Sequence, residues 1–267
     1  MGNYDFDGIG VYCGAQLISK GIKRYSGGFT TAEHEIMTKT EGKKKKAVLF
    51  DFDGTIMDTN DLINKSWRYT FEQIMGNVPS DDVIYSTYGE ILEDTMRNFF
   101  GGTDEDVQKN IDIYRSYHKR HFDDEIHLFP DVKDMLSDLR ENGYTLALVT
   151  SRLANTTYRG LEDFGIRDMF DALVTADDTD IHKPEPEPAL TALKKIGREP
   201  DEAVMLGDTW LDMECARRAG VTPVLAGWSE AYKYSGEKEL GIPDYTVKKP
   251  GEFLQLLKKL NGDSEEN

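Results

Sequence analysis

Short apolar runs alternate with amphipathic stretches along most of this chain, from residue 46 to residue 260. The runs are almost free of polar positions, which is typical of strands buried on both faces of a parallel sheet. We predict such strands at residues 47–50, 144–149, 170–175, 203–206, 221–225 and 245–247. Apolar residues at helical spacing predict helices between them, at residues 130–142, 155–164, 188–196, 210–219 and 252–260. Repeated strand–helix units of this kind predict an α/β fold with a doubly wound, Rossmann-like parallel sheet.

A long insertion separates the first two predicted strands, since a simple crossover needs only one helix of modest length. Within it, apolar residues recur near helical spacing at residues 61–75, 91–100 and 107–118. We therefore predict a small helical bundle in this part of the chain, with hinges near residues 57–58 and 127–130.

The charge of the chain limits the partners that it can have. Its 267 residues carry a formal net charge of −17 at pH 7, which disfavours nonspecific binding to nucleic acid or to an anionic membrane. We find neither an apolar stretch of transmembrane length nor a signal-peptide pattern, and expect no membrane partner. The two cysteines, Cys13 and Cys215, are too few and too far apart for a disulfide framework, so we expect a reducing, cytoplasmic environment.

An acidic motif follows the first predicted strand directly. Asp51-Phe52-Asp53-Gly54-Thr55 places two carboxylates and a glycine turn at the carboxyl end of a buried strand, where open α/β sheets carry their active sites. An aspartate there can act as a covalent nucleophile, and a second acid two residues on can share a metal and transfer a proton. The motif therefore indicates phosphoryl transfer through an aspartyl-phosphate.

Three further motifs supply the groups that a dianionic phosphate needs beside two aspartates. A hydroxyl pair, Thr150-Ser151, closes the second predicted core strand, and a cation, Lys183, follows the third. Another acid, Asp208, follows the fourth. Because the carboxyl ends of parallel strands share one edge of a sheet, we expect these side chains to meet there.

In this order the four motifs resemble those of the haloacid dehalogenase-like hydrolase superfamily: Asp-x-Asp-x-Thr, a Thr or Ser, a Lys, and Gly-Asp-x-x-x-Asp ending at Asp212. The segments 59–63, 114–118 and 183–188 are similar to the branch that contains phosphoglycolate phosphatases and PpaX-type pyrophosphatases. The resemblance implies that the helical bundle is an α-helical cap domain over the active site. It divides the chain into an extension of open role at residues 1–45, a core at 46–58 and 128–260, a cap at 59–127 and an acidic tail at 261–267.

The resemblance also implies how the reaction is carried out. Asp51 would attack phosphorus, while Asp53 would protonate the leaving oxygen and then activate water. Mg²⁺ would be held by Asp51, by Asp53 through its backbone carbonyl, and by Asp208, because hard oxygen ligands suit this ion.

The remaining motif residues would bind the phosphoryl group. Thr150 and Lys183 would act in catalysis as well as in binding, together with the backbone amides of Gly54 and Ser151. Asp212, one helical turn after the metal-binding acid, would orient Lys183 or a metal-bound water.

We therefore expect a Mg²⁺-dependent phosphohydrolase that acts on a small phosphorylated metabolite, such as phosphoglycolate, or on pyrophosphate. We expect a monomer or a weak homodimer. A β-phosphoglucomutase-like phosphosugar mutase would share Asp51 and Asp53 but would retain the phosphoryl group. A haloacid dehalogenase would need neither Asp53 nor a metal, and a binding module without catalysis would lack a motif residue.

Other residues have two open interpretations. Arg152 either contacts a substrate carboxylate or faces solvent, and Trp210 either packs in the core or lines the mouth of the pocket. His118, His121 and His127 either bind a transition metal or, as is commoner, are solvated or capping residues.

Selectivity should come from the cap, and we expect it from residues 87–90 or 114–118. A second Asp-Phe-Asp-Gly, at residues 5–8, follows no apolar run. We interpret this copy as a coincidence, since nothing would hold its carboxylates at a strand end.

Overall fold

The computed structural model of this chain describes residues 43–229, 231–234 and 241–263. The motif copy at residues 5–8, Cys13 and nearly all of the predicted N-terminal extension lie outside the described residues, as does most of the predicted acidic tail. Within the described ranges, every helix is too short or too polar to cross a membrane.

The strands form a large parallel sheet and a small antiparallel pair. They are β1 (Ala47–Phe50), β2 (Met57–Asp58), β3 (His127–Leu128), β4 (Thr145–Val149), β5 (Ala172–Val174), β6 (Ala203–Gly207), β7 (Thr222–Ala226) and β8 (Tyr245–Val247). The large sheet has the order β5-β4-β1-β6-β7-β8, and all its pairs are parallel. The predicted strands and the predicted α/β fold with a doubly wound sheet are confirmed.

Helices connect the strands. They are α1 (Asn60–Met75), α2 (Asp81–Tyr85), α3 (Leu92–Phe100), α4 (Asp104–Glu125), α5 (Val132–Glu141), α6 (Ala154–Asp163), α7 (Glu187–Ile196), α8 (Trp210–Arg218) and α9 (Phe253–Leu260). The helices predicted after residue 128 are all present, and their ends differ from the prediction by at most two residues, as is usual for helix termini.

Hydrophobic clusters cover the sheet on both faces. Along β1, Val48 and Phe50 belong to a cluster shared with α5, α6 and α9, whereas Ala47 and Leu49 belong to one shared with α7 and α8. Successive side chains of a strand point to opposite faces, so a strand covered on both sides must be apolar at every position. This burial on both faces explains why the strands are uninterrupted apolar runs. The polar residues that follow each run therefore lie at the edge of the sheet, where the strand ends.

Helices α1 to α4, residues 60–125, form a separate apolar cluster and are called here the helical insertion. Helix α4 begins at Asp104, before the predicted start, because Thr103 and Asp106 form a capping box. The short helix α2 was not predicted, since five residues show too little periodicity. Where hinges were predicted, Met57 pairs with Leu128 and Asp58 with His127 in the β2–β3 pair.

Candidate active site

The carboxyl ends of three neighbouring strands carry the predicted acidic and hydroxyl groups. Asp51 follows β1, Thr150 follows β4 and Asp208 follows β6, and β1 lies between the other two strands. The Asp51 N–H donates to the carbonyl of Leu206 at 2.9 Å, which fixes the motif against β6. The strand order therefore brings these three side chains to one edge of the sheet.

Lys183 lies buried among the acids at this edge. Its Nζ donates to Asp51 Oδ1 at 2.8 Å and to Asp212 Oδ1 at 2.7 Å, and the Val149 carbonyl oxygen is 3.4 Å away. Asp212 Oδ2 accepts from the N–H and the hydroxyl of Thr209, at 3.0 and 2.7 Å, in the capping box that begins α8. The helix start thus orients Asp212, and Asp212 holds Lys183 against Asp51.

Burial and mutual repulsion shift the pKa values of these groups. Burial raises the pKa of Asp51, and the charge of Asp212 adds to the rise against the opposing effect of Lys183. Burial, together with Asp51 and Asp212, holds the pKa of Asp208 well above its ordinary value. Burial lowers the pKa of Lys183, but Asp212 and Asp51 outweigh it and leave that pKa raised. The site is therefore short of positive charge for its number of acids.

Asp208 carries a buried oxygen that lacks a partner among the described residues. Its Oδ2 accepts from the Ser229 hydroxyl at 2.6 Å, whereas Oδ1 is buried without a hydrogen bond. Asp51, Asp208 and Asp212 bring carboxylate oxygens within 4.8 Å of one another. Both Asp212 oxygens are already hydrogen-bonded, so the open ligands are on Asp51 and Asp208. Carboxylate oxygens suit Mg²⁺, and these residues fit a divalent cation.

Gly54 lets the backbone pass directly against the Asp208 carboxylate. Its φ is +76°, and a Cβ there would lie 1.8 Å from Asp208 Oδ2. Its N–H donates to the Met57 carbonyl at 2.8 Å. The prediction that this amide binds phosphate is therefore corrected, because the turn that follows β1 already uses its hydrogen.

The Asp53 side chain forms an ion pair that the sequence analysis missed. Arg152 Nη1 donates to Asp53 Oδ1 at 2.8 Å, and Arg152 Nε donates to Thr156 Oγ1 at 3.1 Å. The guanidinium carbon lies 5.6 Å from the centre of the Phe52 ring and 5.3 Å from that of Phe122. Of the two interpretations of Arg152, the solvent-facing one is wrong, since only 9% of its side chain is exposed.

The hydroxyl pair lies at the same edge. Thr150 Oγ1 accepts from the Arg152 N–H at 3.1 Å and keeps its own hydrogen available to donate. Ser151 Oγ is buried without a partner among the described residues. Two hydroxyls with unused donors suit the oxygens of a phosphoryl group.

A cavity of about 650 Å³ connects this edge with the helical insertion. Its lining contains the predicted residues Asp51, Asp53, Thr150, Ser151, Lys183 and Asp208, and also all of the predicted selectivity segment 87–90. Thr209 lines it, but Trp210, the first residue of α8, does not, so Trp210 does not lie at the mouth of this cavity.

The three histidines do not form a metal site within the described residues. His118 lines the cavity, with its Nε2 3.4 Å from Arg152 Nη2. His121 Nδ1 instead lies 3.8 Å from Glu125.

Ser229 is a site residue that sequence reasoning missed. It follows β7 closely and holds Asp208, and the Asn60 side chain donates to its hydroxyl at 3.2 Å. The sequence could have indicated Ser229, because it lies just beyond the carboxyl end of a core strand, where active-site residues are found.

Comparison with known proteins places the chain among related sequences. A family model described as haloacid dehalogenase-like hydrolase matches residues 48–226. A candidate pyrophosphatase PpaX from Caldanaerobacter subterraneus subsp. tengcongensis is 38% identical over 223 residues, which are 84% of this chain and 99% of that protein. A pyrophosphatase PpaX from Bacillus velezensis is 34% identical over 217 residues, 80% of this chain and 97% of that protein.

A solved structure agrees with these relatives. The crystal structure of a candidate phosphoglycolate phosphatase from Lactobacillus plantarum is 26% identical, with a TM-score of 0.69, and the match covers 80% of this chain and all of that one. The family model spans both acidic motifs and the strands from β1 to β7, except for Ala47. The chain therefore belongs to the haloacid dehalogenase-like hydrolases, in the branch of PpaX-type and phosphoglycolate phosphatase-like proteins.

Proposed function

We propose that this enzyme is a Mg²⁺-dependent phosphohydrolase that works through an aspartyl-phosphate on Asp51. One observation carries the proposal: the Asp51 carboxylate is 2.8 Å from the Lys183 ammonium and lines the same cavity as Asp208, whose Oδ1 has no partner among the described residues. A carboxylate attacks a phosphate group only where positive charge offsets the repulsion. Lys183 brings one such charge, and Asp51 and Asp208 offer ligands for another.

In the proposed reaction, an Asp51 oxygen attacks phosphorus in line with the leaving oxygen. The bond from phosphorus to the leaving oxygen breaks while Asp53 gives that oxygen a proton. Asp53 then takes a proton from water, and the water oxygen attacks phosphorus. The bond between phosphorus and Asp51 breaks, which releases phosphate and restores the Asp51 carboxylate.

Neighbouring groups hold the phosphoryl group in place. We assign its oxygens to the Thr150 hydroxyl, the Ser151 N–H and Lys183, with Asp212 holding Lys183 in position. A bound divalent cation would offset the charge of the phosphoryl group, and Asp51, the backbone carbonyl of Asp53 and Asp208 would hold it.

We propose that the helical insertion is the cap of this active site, since it lines the cavity opposite the sheet edge. The names of the relatives favour pyrophosphate or a small phosphate ester such as phosphoglycolate as substrate. A cytoplasmic location is also part of the proposal, because Cys215 is a buried free thiol, as expected in a reducing compartment.

A phosphate-release assay tests this function. Purified enzyme is given Mg²⁺ with pyrophosphate, 2-phosphoglycolate, p-nitrophenyl phosphate or a hexose 1-phosphate. We expect release from at least one of them, loss of release with EDTA, and recovery when Mg²⁺ is restored. Asp51→Asn should abolish release, whereas Asp138→Asn, an exposed aspartate on α5, should leave it unchanged.

Two outcomes would contradict the proposal. Isomerisation of the hexose 1-phosphate without phosphate release would identify a mutase. Substantial release by Asp51→Asn, in a preparation free of other phosphatases, would remove Asp51 as the nucleophile.

A further inference from the structure

The cavity extends well beyond the groups that would bind one phosphoryl group. Its volume of about 650 Å³ lies within the range of pockets that hold drug-sized ligands, roughly 300–1,000 Å³. On the side of the helical insertion the lining is partly apolar, with Ile63, Trp67, Ile111 and Tyr114. A substrate that fills this space has an organic body beyond its phosphate.

Most cations of the cavity already have carboxylate partners. Lys183 is paired with Asp51 and Asp212, and Arg152 is paired with Asp53. Arg159, on α6, is paired with Asp123 and Asp163. The positive charge of each of these three cations is therefore already offset by at least one carboxylate of the protein.

Two further cations line the cavity without such a partner. Arg115 and Lys119 lie one turn apart on α4, which puts both on one face of the helix. Neither has a hydrogen bond or an ion pair with any residue of the described ranges. In a chain with a net charge of −17, acids outnumber basic residues, so a basic residue without an acidic partner is unexpected.

The other basic residues of the helical insertion behave differently. Arg120 packs over the rings of Tyr69 and Tyr117. The rest are paired with carboxylates: Lys65 with Glu125, Arg68 with Asp81, Arg97 with Glu93 and Asp104, and Lys109 with Glu105. The available positive charge of the insertion is thus concentrated where the cavity is.

We propose that Arg115 and Lys119 form a subsite for a second anionic group on the substrate, and so determine specificity. The preferred substrate class is then an organic phosphate ester that carries a carboxylate or a second phosphate on its leaving group. This inference rests on the proposed phosphohydrolase function. A guanidinium and an ammonium one helical turn apart can bind such a group with charge-assisted hydrogen bonds.

Pairs of substrates that differ in one charge test the subsite. 2-Phosphoglycolate is compared with ethyl phosphate, and 3-phosphoglycerate with glycerol 3-phosphate, by phosphate release with Mg²⁺. Wild-type enzyme should prefer the acid of each pair. Arg115→Gln/Lys119→Gln should lower this preference in kcat/KM by at least about tenfold, mainly through KM, as expected for lost charge-assisted bonds.

The double variant Arg97→Gln/Lys109→Gln is the matched control. It removes the same charge from exposed residues of the insertion that do not line the cavity, and should keep the wild-type preference. Added salt should weaken the preference of the wild type and of this control, but should have little further effect on the Arg115→Gln/Lys119→Gln enzyme.

The outcomes separate this inference from the proposed function. Phosphate release without a preference for the acids, or an equal loss on both members of a pair, overturns the subsite and leaves the phosphohydrolase standing. Absence of release from every substrate overturns the phosphohydrolase. Calorimetric binding of the same pairs to Asp51→Asn, with and without the two α4 substitutions, decides on the subsite in that case, and equal affinities reject it.

Discussion

Arg152 donates a hydrogen bond to the Asp53 carboxylate across 2.8 Å, and thereby joins the loop after β4 to the loop after β1. The same guanidinium packs over Phe122 of α4, so the proposed acid–base residue is also linked to the helical insertion. An aspartate that both donates and accepts a proton must stay within reach of the leaving oxygen. The ion pair with Arg152 holds the Asp53 carboxylate in one orientation at the cavity.

Asp53→Asn should lower kcat by about 10²- to 10⁴-fold on substrates with a poor leaving group, because the amide cannot protonate the leaving oxygen. The first step should suffer much less with p-nitrophenyl phosphate, whose leaving group needs no proton. Single-turnover measurement of leaving-group release from both kinds of substrate checks this. An equal loss on both would mean that Asp53 serves only to hold Arg152.

Lys183→Met should destabilise the protein by about 3–5 kcal/mol, because it leaves buried carboxylates without their cation. Lys109→Met is the control, since the Lys109–Glu105 pair is largely exposed and is worth at most about 1 kcal/mol. Urea unfolding without divalent metal gives both values. A Lys183→Met protein that never folds agrees with the prediction, whereas equal stability of the two variants contradicts it.

Gly54→Ala should raise the Mg²⁺ concentration needed for half-maximal phosphate release, because its Cβ would push the Asp208 carboxylate out of place. Gly76→Ala is matched to it, with a φ of +71° but no atom of the described residues within 4 Å of the added Cβ. That control should lose about 1–2 kcal/mol of stability from backbone strain alone and keep the wild-type Mg²⁺ requirement. If both variants need the same Mg²⁺ concentration as wild type, Asp208 does not bind the ion.

His118 should make the fold sensitive to acid. Burial lowers its pKa to about 3, with a further contribution from Arg152, so the folded protein keeps this imidazole neutral. As pH falls below the ordinary value of about 6.5, only the unfolded chain binds the proton. Wild-type stability should therefore fall relative to His118→Gln between about pH 6.5 and pH 3, by up to about 1.4 kcal/mol per pH unit.

Unfolding free energies measured across this pH range give the difference between the two proteins. His121→Gln, on the same helix, is the control for loss of an imidazole. A difference between wild type and His118→Gln that does not change with pH would contradict the predicted neutral His118.

The fold could be predicted from the sequence because its strands are buried on both faces. Runs such as 47–50 and 203–206 are apolar at every position, and few other structures tolerate this in a chain of this charge. The short helix α2 and the β2–β3 pair could not be predicted in this way, since so few residues show no period.

For the active site, the sequence indicated which residues lie close together, but not all of their hydrogen bonds and ion pairs. The rule that polar residues after parallel strands share an edge brought together Asp51, Thr150 and Asp208. Side-chain direction is not contained in that rule, so the Arg152–Asp53 ion pair was missed and the Gly54 amide was assigned to phosphate in error. Such contacts depend on three-dimensional packing between residues distant in the chain.

Trapping the phosphorylated enzyme is the strongest test of Asp51 as the nucleophile. Asp53→Asn enzyme is mixed with p-nitrophenyl phosphate and Mg²⁺, quenched in acid, and its peptides are examined by mass spectrometry. Because this variant cannot activate water, we predict a hydroxylamine-sensitive phosphoryl group on Asp51 that accumulates with the released nitrophenol. A phosphoryl group on any other residue, or nitrophenol release with no phosphorylated peptide, would contradict the account.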